Sequence, residues 1–171
     1  MSVIHPIFPI PIADSAAKII LTPCPGTKGA ALIASLEQLK AAGAEAVLTL
    51  MTHSELEKNS LSGIGEAVIA QGMSWFHLPI VDDHIPEAEF LRAWKNAGPA
   101  VQCLLTQGKS IAIHCKGGSG RTGLLAAQIL LQRGECMEPT MACIQAVRAN
   151  AFTHVCQRDY LNALDQSLKS Q

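Results

Sequence analysis

Short apolar runs alternate along this chain with longer stretches of helical spacing. Ile19, Ile20 and Leu21 fill the run Lys18–Thr22, which predicts a buried strand. The residues before it, 1–17, are punctuated by Pro6, Pro9 and Pro11 and predict an extended N-terminal segment. Pro23 to Thr27 makes a turn, and Leu32, Leu36 and Leu39 recur at helical spacing through 31–41, with Gly43 just beyond. Glu45 to Leu50 predicts a second buried strand. Thr52 or Ser54 would cap a short helix over 54–58, and Ile64 to Ala70 forms a helical patch ending near Gly72. Trp75 to Ile80 reads as a strand and Val81 to Ile85 as a loop. Pro86 and Glu87 open a helix running to about 106, which Pro99 is expected to interrupt or split. A strand over 110–114, a glycine-rich turn and a helix over 121–132 follow, the helix ended by Gly134. Two further helices are expected at 139–149 and 153–168.

This alternation of buried strands with helices predicts an α/β fold of three layers, a central and mostly parallel sheet flanked by helices. The 171 residues suit a single domain, 1–171, with one sizeable core. In such sheets ligands bind outside the carboxyl ends of the strands, and Cys115 stands at one of those ends.

Composition narrows the function classes. Hydrophobic residues make up 49% of the chain and charged residues only 16%, with 13 basic and 14 acidic side chains. A formal charge of -1 argues against a nucleic-acid footprint or a polybasic membrane patch. No apolar run approaches the roughly 20 residues that span a bilayer, and the proline-rich start lacks the basic head and continuous apolar core of a signal peptide. The six cysteines, at 24, 103, 115, 136, 143 and 156, show no CxxC spacing, so no zinc ribbon or thioredoxin-type site is expected. They read as free thiols in a reducing compartment, which places the chain in the cytoplasm. No metal, cofactor, nucleic acid or integral membrane contact is implied, and a monomer is expected.

Residues 114–123 carry the chemistry: HCKGGSGRTG, preceded by the apolar Ile111-Ala112-Ile113 and followed by Leu124-Leu125-Ala126-Ala127. Strand, glycine-rich turn and helix start place the Cys115 sulfur beneath a ring of backbone N–H groups, with the Arg121 guanidinium at the rim. Gly117, Gly118 and Gly120 let the backbone curl so that Lys116 to Arg121 can bind a phosphate, Ser119 among them. Arg121 can clamp two equatorial oxygens in a fork that a lysine cannot reproduce. The same positive potential favours an ionised Cys115, and Thr122 could donate its hydroxyl to that sulfur. The combination of loop, strand and helix is specific, and it lacks the lysine–threonine ending of an ATP-binding loop. A cysteine-dependent phosphatase is the reading that follows.

The surrounding residues have supporting roles to fill. His114 is expected to brace the loop through its ring nitrogens rather than act as a base. Lys116 points from the rim or into solvent. The leaving oxygen needs a proton, and Asp82 and Asp83, in the loop between Pro79 and Pro86, could each reach over the pocket to supply it. Trp75, Phe76 and Trp94 read as core residues.

The signature HCKGGSGRTG resembles that of the protein tyrosine and dual-specificity phosphatase superfamily, and the wider pattern is similar to its kinase-associated, cyclin-dependent-kinase-inhibitor type. LTPCPGTK at 21–28, VLTLMTHSELEK at 47–58, WFHLPIVDDHIP at 75–86 and AFTHVCQRDYL at 151–161 carry the likeness, which runs through nearly the whole chain from about residue 18. The resemblance implies Cys115 as nucleophile, Arg121 as phosphate clamp, Asp82 as general acid with Asp83 as the alternative, and Thr122 as the hydroxyl that stabilises the departing thiolate. It also implies Gln157 as the residue that orients the hydrolytic water. Glu55 and His53 read only as scaffold or rim residues.

The function implied is hydrolysis of phosphotyrosine, phosphoserine or phosphothreonine in proteins through a phosphocysteine intermediate, without a metal. The alternatives are a phosphatase of phosphoinositides or other small phosphate esters, and a phosphoprotein-binding module without activity. The inositol-lipid reading is weakened by Ser119, which stands where the lipid-specific loop carries a second lysine. A binding module would be expected to lose the cysteine, the arginine or the acid, and this chain keeps all three. Cys24, Cys103 and Cys156 are candidates to resolve an oxidised Cys115.

Overall fold

The computed structural model describes residues 3–171. Five strands form one sheet: β1 (Phe8–Pro11), β2 (Lys18–Thr22), β3 (Ala44–Thr49), β4 (Ser74–His77) and β5 (Ser110–His114), in the order β1-β2-β5-β3-β4. The helices are α1 (Leu32–Ala41), α2 (His53–Lys58), α3 (Ile64–Ala70), α4 (Ala88–Thr106), α5 (Gly120–Gln132), α6 (Met137–Val147) and α7 (Val155–Lys169). β2, β5, β3 and β4 run parallel, and β1 pairs antiparallel with β2, so the sheet is mixed.

Strand alternation sorts the apolar residues into two cores. Ile19, Leu21, Ala46, Leu48, Ile111 and Ile113 face the side covered by α4, α5, α6 and α7. Ile20, Val47 and Ala112 face α1 and α3, where Leu36, Leu39, Ile64 and Val68 are fully buried. Three layers result. β5 lies at the centre, flanked by β2 and β3, and every residue of it is buried. Thr22, His114 and Thr49 stand in register across the three strands, so the chain leaves β5 for the glycine-rich turn at the carboxyl edge of the sheet.

Several local expectations are corrected. Residues 8–11 of the N-terminal segment are not merely extended; they form an edge strand, the position in a sheet that tolerates Pro9 and Pro11. Residues 1 and 2 of that segment lie outside the described residues. Pro99 neither interrupts nor splits α4, which runs unbroken for 19 residues. Pro99 lies on the exposed side of the helix, away from the core. Phe90, Ala97, Val101 and Leu105 meanwhile hold the helix to the core. β4 ends at His77 instead of Ile80, because Pro79 has no N–H for the ladder; Leu78 and Ile80 still donate to the carbonyls of Thr49 and Leu50, at 2.9 Å each. Trp75 is half-buried and packs on the α1–α3 side; Phe76 and Trp94 are half-buried against the other core. Among the described residues no helix is long and apolar enough to cross a membrane.

Candidate active site

β5 delivers His114 and Cys115 to the sheet edge, and α5 begins five residues later. Between them the chain curls around the Cys115 sulfur. Gly118 takes φ +77 and its N–H donates to Sγ at 3.3 Å, while the Thr122 hydroxyl, in the first turn of α5, donates at 3.1 Å. The Cys115 sulfur thus accepts from two donors. Gly118 is held against the end of β2: a Cβ there would lie 2.5 Å from backbone atoms of Thr22 and Pro23. Cys24, next along, donates its N–H to the Lys116 carbonyl at 3.1 Å and supports the loop from below.

The loop is also held from outside. Arg148, at the end of α6, donates from Nε to the Gly118 carbonyl at 3.0 Å and from Nη2 to the Gly117 carbonyl at 2.8 Å. Its guanidinium lies over the Phe8 ring of β1, 4.4 Å from the centroid. Fixing these carbonyls outward turns the opposite side of the peptide units toward the pocket.

His114 is fully buried and its tautomer is determined. Nδ1 lies 3.0 Å from the Cys115 carbonyl, which can only accept, so Nδ1 carries the proton. Nε2 accepts from the Thr49 hydroxyl at 2.7 Å, and Thr49 accepts from the Trp75 indole at 2.8 Å. Burial drives the His114 pKa down to about 4, against a smaller upward effect from the Cys115 carbonyl, which keeps the ring neutral.

Arg121 is 2% exposed. Its Nη1 donates to Glu55 Oε2 at 2.8 Å and to the Ile80 carbonyl at 2.9 Å, and its Nη2 donates to Glu55 Oε1 at 2.9 Å and lies 3.3 Å from Asp82 Oδ1. Nε is buried and has no protein partner. Burial opposes the Arg121 charge, but Glu55, Cys115 and Asp82 together outweigh it and raise the pKa above its ordinary value. Burial likewise opposes the Glu55 carboxylate. Arg121 and the Thr52 N–H outweigh it and hold that carboxyl below the usual range. The Thr52 bond belongs to a capping box that starts α2: Thr52 Oγ1 accepts from the Glu55 N–H while Glu55 Oε2 accepts from the Thr52 N–H. Thr52, rather than Ser54, is therefore the cap, and Glu55 ties the helix start to Arg121.

These groups line a cavity of about 290 Å³. Its floor is Cys115 and the loop residues Lys116, Gly117, Ser119, Gly120 and Arg121. Asp82, Asp83, Asn150, Thr153, His154 and Gln157 complete the lining. Gly118 is the loop residue that turns away from the cavity and toward β2. Lys116 is exposed, and its Nζ donates to Asn59 Oδ1 at the rim. Gln157 is fully buried, donates to the His84 carbonyl at 3.1 Å, and leaves Oε1 without a protein partner. The two acids differ in what they touch. Asp82 accepts from the Asp83 N–H at 3.1 Å and faces Arg121, whereas Asp83 sends Oδ1 to His154 Nε2 at 2.9 Å. All six cysteines are free; burial pushes the Cys24 thiol up to about 12, and Cys103 and Cys156 are exposed. Among the described residues no group of three or more His, Cys, Asp or Glu side chains is placed to hold a metal.

Three residues of this arrangement escaped the sequence reading as functional groups. Glu55 was visible as the third residue after a threonine cap, a signal for its position though not for its partner. Arg148 and His154 carried no local signal.

A family model described as "Polymorphic toxin system, DSP-PTPase phosphatase" matches residues 25–135, a span that contains the whole loop and both acids. The chain belongs to that family. It lies within the cysteine-based protein tyrosine and dual-specificity phosphatase superfamily, as the signature loop implied. Cyclin-dependent kinase inhibitor 3 of Rattus norvegicus is 30% identical over 135 residues, which are 77% of this chain and 62% of the relative. The chain thus spans less than two thirds of the length of the curated relatives it first matches. Among solved structures, kinase associated phosphatase with its catalytic-site cysteine replaced by serine superposes with a TM-score of 0.86 at 21% identity, covering 100% of this chain and 99% of that one. PTPMT1 in complex with PI(5)P gives a TM-score of 0.70 at 18% identity, covering 91% and 94%. At these identities both likenesses speak to the fold, a mixed sheet flanked by helices.

Proposed function

We propose that this chain is a cysteine-dependent phosphomonoester hydrolase acting on phosphorylated proteins or peptides. The observation that carries the reading is the Cys115 sulfur, held by the Gly118 N–H and the Thr122 hydroxyl in a cavity that Arg121 also lines. A thiolate and a guanidinium lining one cavity suit a tetrahedral dianion bound there.

In the first step the Cys115 thiolate attacks phosphorus. The S–P bond forms, the P–O ester bond breaks, and Asp82 gives its carboxyl proton to the leaving oxygen. Inward-facing backbone N–H groups and Arg121 carry the charge on the equatorial oxygens, and Arg121 Nε is the donor still free to do so. In the second step water attacks the phosphocysteine. The new P–O bond forms, the S–P bond breaks, and Asp82 takes the proton from water, leaving inorganic phosphate and the thiolate. Gln157, which lines the cavity and whose buried Oε1 has no protein partner, would accept a hydrogen bond from that water. Thr122 stabilises the sulfur as it departs. His114 braces the Cys115 carbonyl in its neutral form.

Phosphotyrosine, phosphoserine and phosphothreonine of proteins are the proposed substrates, and phosphoinositides or other small phosphate esters are the second reading; among the described residues that line the cavity, the His154 imidazole is the one ring. A single phosphatase domain, a monomeric state and a cytoplasmic location belong to the same proposal; six free thiols suit a reducing compartment.

The test is turnover of para-nitrophenyl phosphate and of a panel of phosphopeptides, phosphoinositides and nucleotides under reducing conditions. Wild type should turn over, and Cys115→Ser should abolish turnover while still binding tungstate. Asp82→Ala should lower kcat far more than KM. A wild-type protein that binds tungstate but hydrolyses no member of the panel would leave the binding-module reading in its place.

A further inference from the structure

Asp83 is the one residue of the acid loop in the left-handed region, at φ 61, a conformation that a side-chain-bearing residue keeps only where its surroundings over-determine it. Those surroundings come from the start of α7. Asp83 Oδ1 meets His154 Nε2 at 2.9 Å, the Cys156 thiol donates to the Asp83 carbonyl at 3.6 Å, and Gln157 Nε2 donates to the His84 carbonyl at 3.1 Å. Within the loop the Asp83 N–H donates to Asp82 Oδ1 at 3.1 Å, His84 Nδ1 donates to the Asp82 carbonyl at 2.7 Å, and the His84 N–H donates to the Val81 carbonyl at 3.0 Å. The backbone of Asp83 therefore aims the Asp82 carboxylate, and the side chain of Asp83 ties that backbone to α7.

We propose that Asp83 and His154 form a latch: they are positioning residues that fasten the acid loop to the start of α7 and hold Asp82 above Cys115 for proton transfer. The inference rests on the proposed phosphatase function, and it removes Asp83 from the alternative role of proton donor. A carboxylate whose Oδ1 already meets His154 Nε2 has a structural partner, while Asp82 faces Arg121 and the cavity. The pair is more than a surface decoration. Both side chains are too exposed for their contact to add much to global stability, yet it fastens a five-residue loop whose other ties to α7 run through Cys156 and Gln157. A loop anchored in this way keeps the donor in place before substrate arrives, which matters most when the leaving group is a poor one.

The experiment compares wild type, His154→Ala, His154→Gln, Asp83→Gly and Asp82→Asn on two esters, phenyl phosphate with a poor leaving group and a difluorinated methylumbelliferyl phosphate with a good one. Amide hydrogen exchange of residues 81–85 is followed in the same proteins. Glycine at 83 keeps the left-handed backbone accessible while removing the carboxylate. Glutamine at 154 keeps an N–H near the position of Nε2. His154→Ala and Asp83→Gly should each lose roughly tenfold or more in kcat on phenyl phosphate and several-fold less on the fluorinated ester, with KM little moved, a smaller version of the Asp82→Asn profile. His154→Gln should recover most of the loss, and exchange across 81–85 should quicken in His154→Ala. Exchange in His154→Ala equal to wild type, or an unchanged ratio of the two esters, overturns the latch. Asp83→Gly falling to the Asp82→Asn level while His154→Ala stays near wild type also overturns it and makes Asp83 a proton donor. A wild-type protein inactive on both esters overturns the phosphatase reading instead, and the exchange comparison still decides the latch.

Discussion

Glu55 grips both terminal nitrogens of Arg121, at 2.8 and 2.9 Å, from 66 residues away in sequence, and so sets the plane of the guanidinium. The pair is buried on the arginine side and half-buried on the glutamate side. Glu55→Ala removes the fork and leaves Asp82 as the one carboxylate within 4 Å of the buried Arg121. The expected cost is about 2 kcal/mol in stability, less than for a fully buried pair. A fall in kcat/KM of roughly tenfold or more should accompany it, as the clamp loses its fixed orientation. Urea unfolding and para-nitrophenyl phosphate kinetics on the same variant measure both. Glu55→Gln should lie between, since its amide accepts with one oxygen only.

The glycines of the loop are not equivalent. A Cβ at Gly118 would clash with the backbone of Thr22 and Pro23 and would sit on a residue at φ +77; at Gly117 and Gly120 it would meet nothing within 4 Å. Gly118→Ala is expected to cost about 3 kcal/mol and to abolish tungstate binding, because neither a strand end nor the loop can retreat cheaply. Gly117→Ala should change stability by less than about 1 kcal/mol. Thermal unfolding with and without tungstate separates the two.

Arg148 holds the loop carbonyls rather than the substrate. Arg148→Ala should therefore weaken competitive inhibition by inorganic phosphate by roughly tenfold. Arg148→Lys should not rescue it, because a lysine supplies neither the planar fork nor the face that stacks on Phe8. Inhibition constants for phosphate in the three proteins provide the check.

Acid should unfold this protein early. His114 has its folded-state pKa depressed from 6.5 to about 4 by burial, so between those values the unfolded chain binds a proton that the folded chain refuses. Stability then falls as pH drops from about 6.5 toward 4, by about 3 kcal/mol from this residue alone, and levels off below. His5 and His77 are also lowered by burial and act in the same direction. Glu55, whose carboxyl is held low, contributes stability that is lost at still lower pH as it protonates. Urea midpoints at pH 7.5, 6.0 and 5.0 should decrease in order. A flat profile across that range would mean that His114 is protonated in the folded protein.

What the chain declares by itself is local. The spacing of Cys115, the three glycines and Arg121 on a strand-to-helix turn follows from backbone sterics and covalent reach, which act over a few residues and are written in those residues. The strands at 18–22 and 110–114 and the start of the helix after the turn are legible for the same reason. The pattern was silent where the interaction partner is distant. Whether residues 8–11 pair with β2 and whether Pro99 breaks a helix were settled by burial against the sheet, which local propensity does not contain. Glu55 on Arg121, Arg148 on the Gly117 and Gly118 carbonyls, and His154 on Asp83 join chain segments that only the sheet order and helix layers bring together. Residue type and spacing nominate the reacting groups because chemistry needs particular atoms. Their orientation is a property of the packed fold, since each buried charge and turned peptide must find its partner wherever tertiary structure puts one.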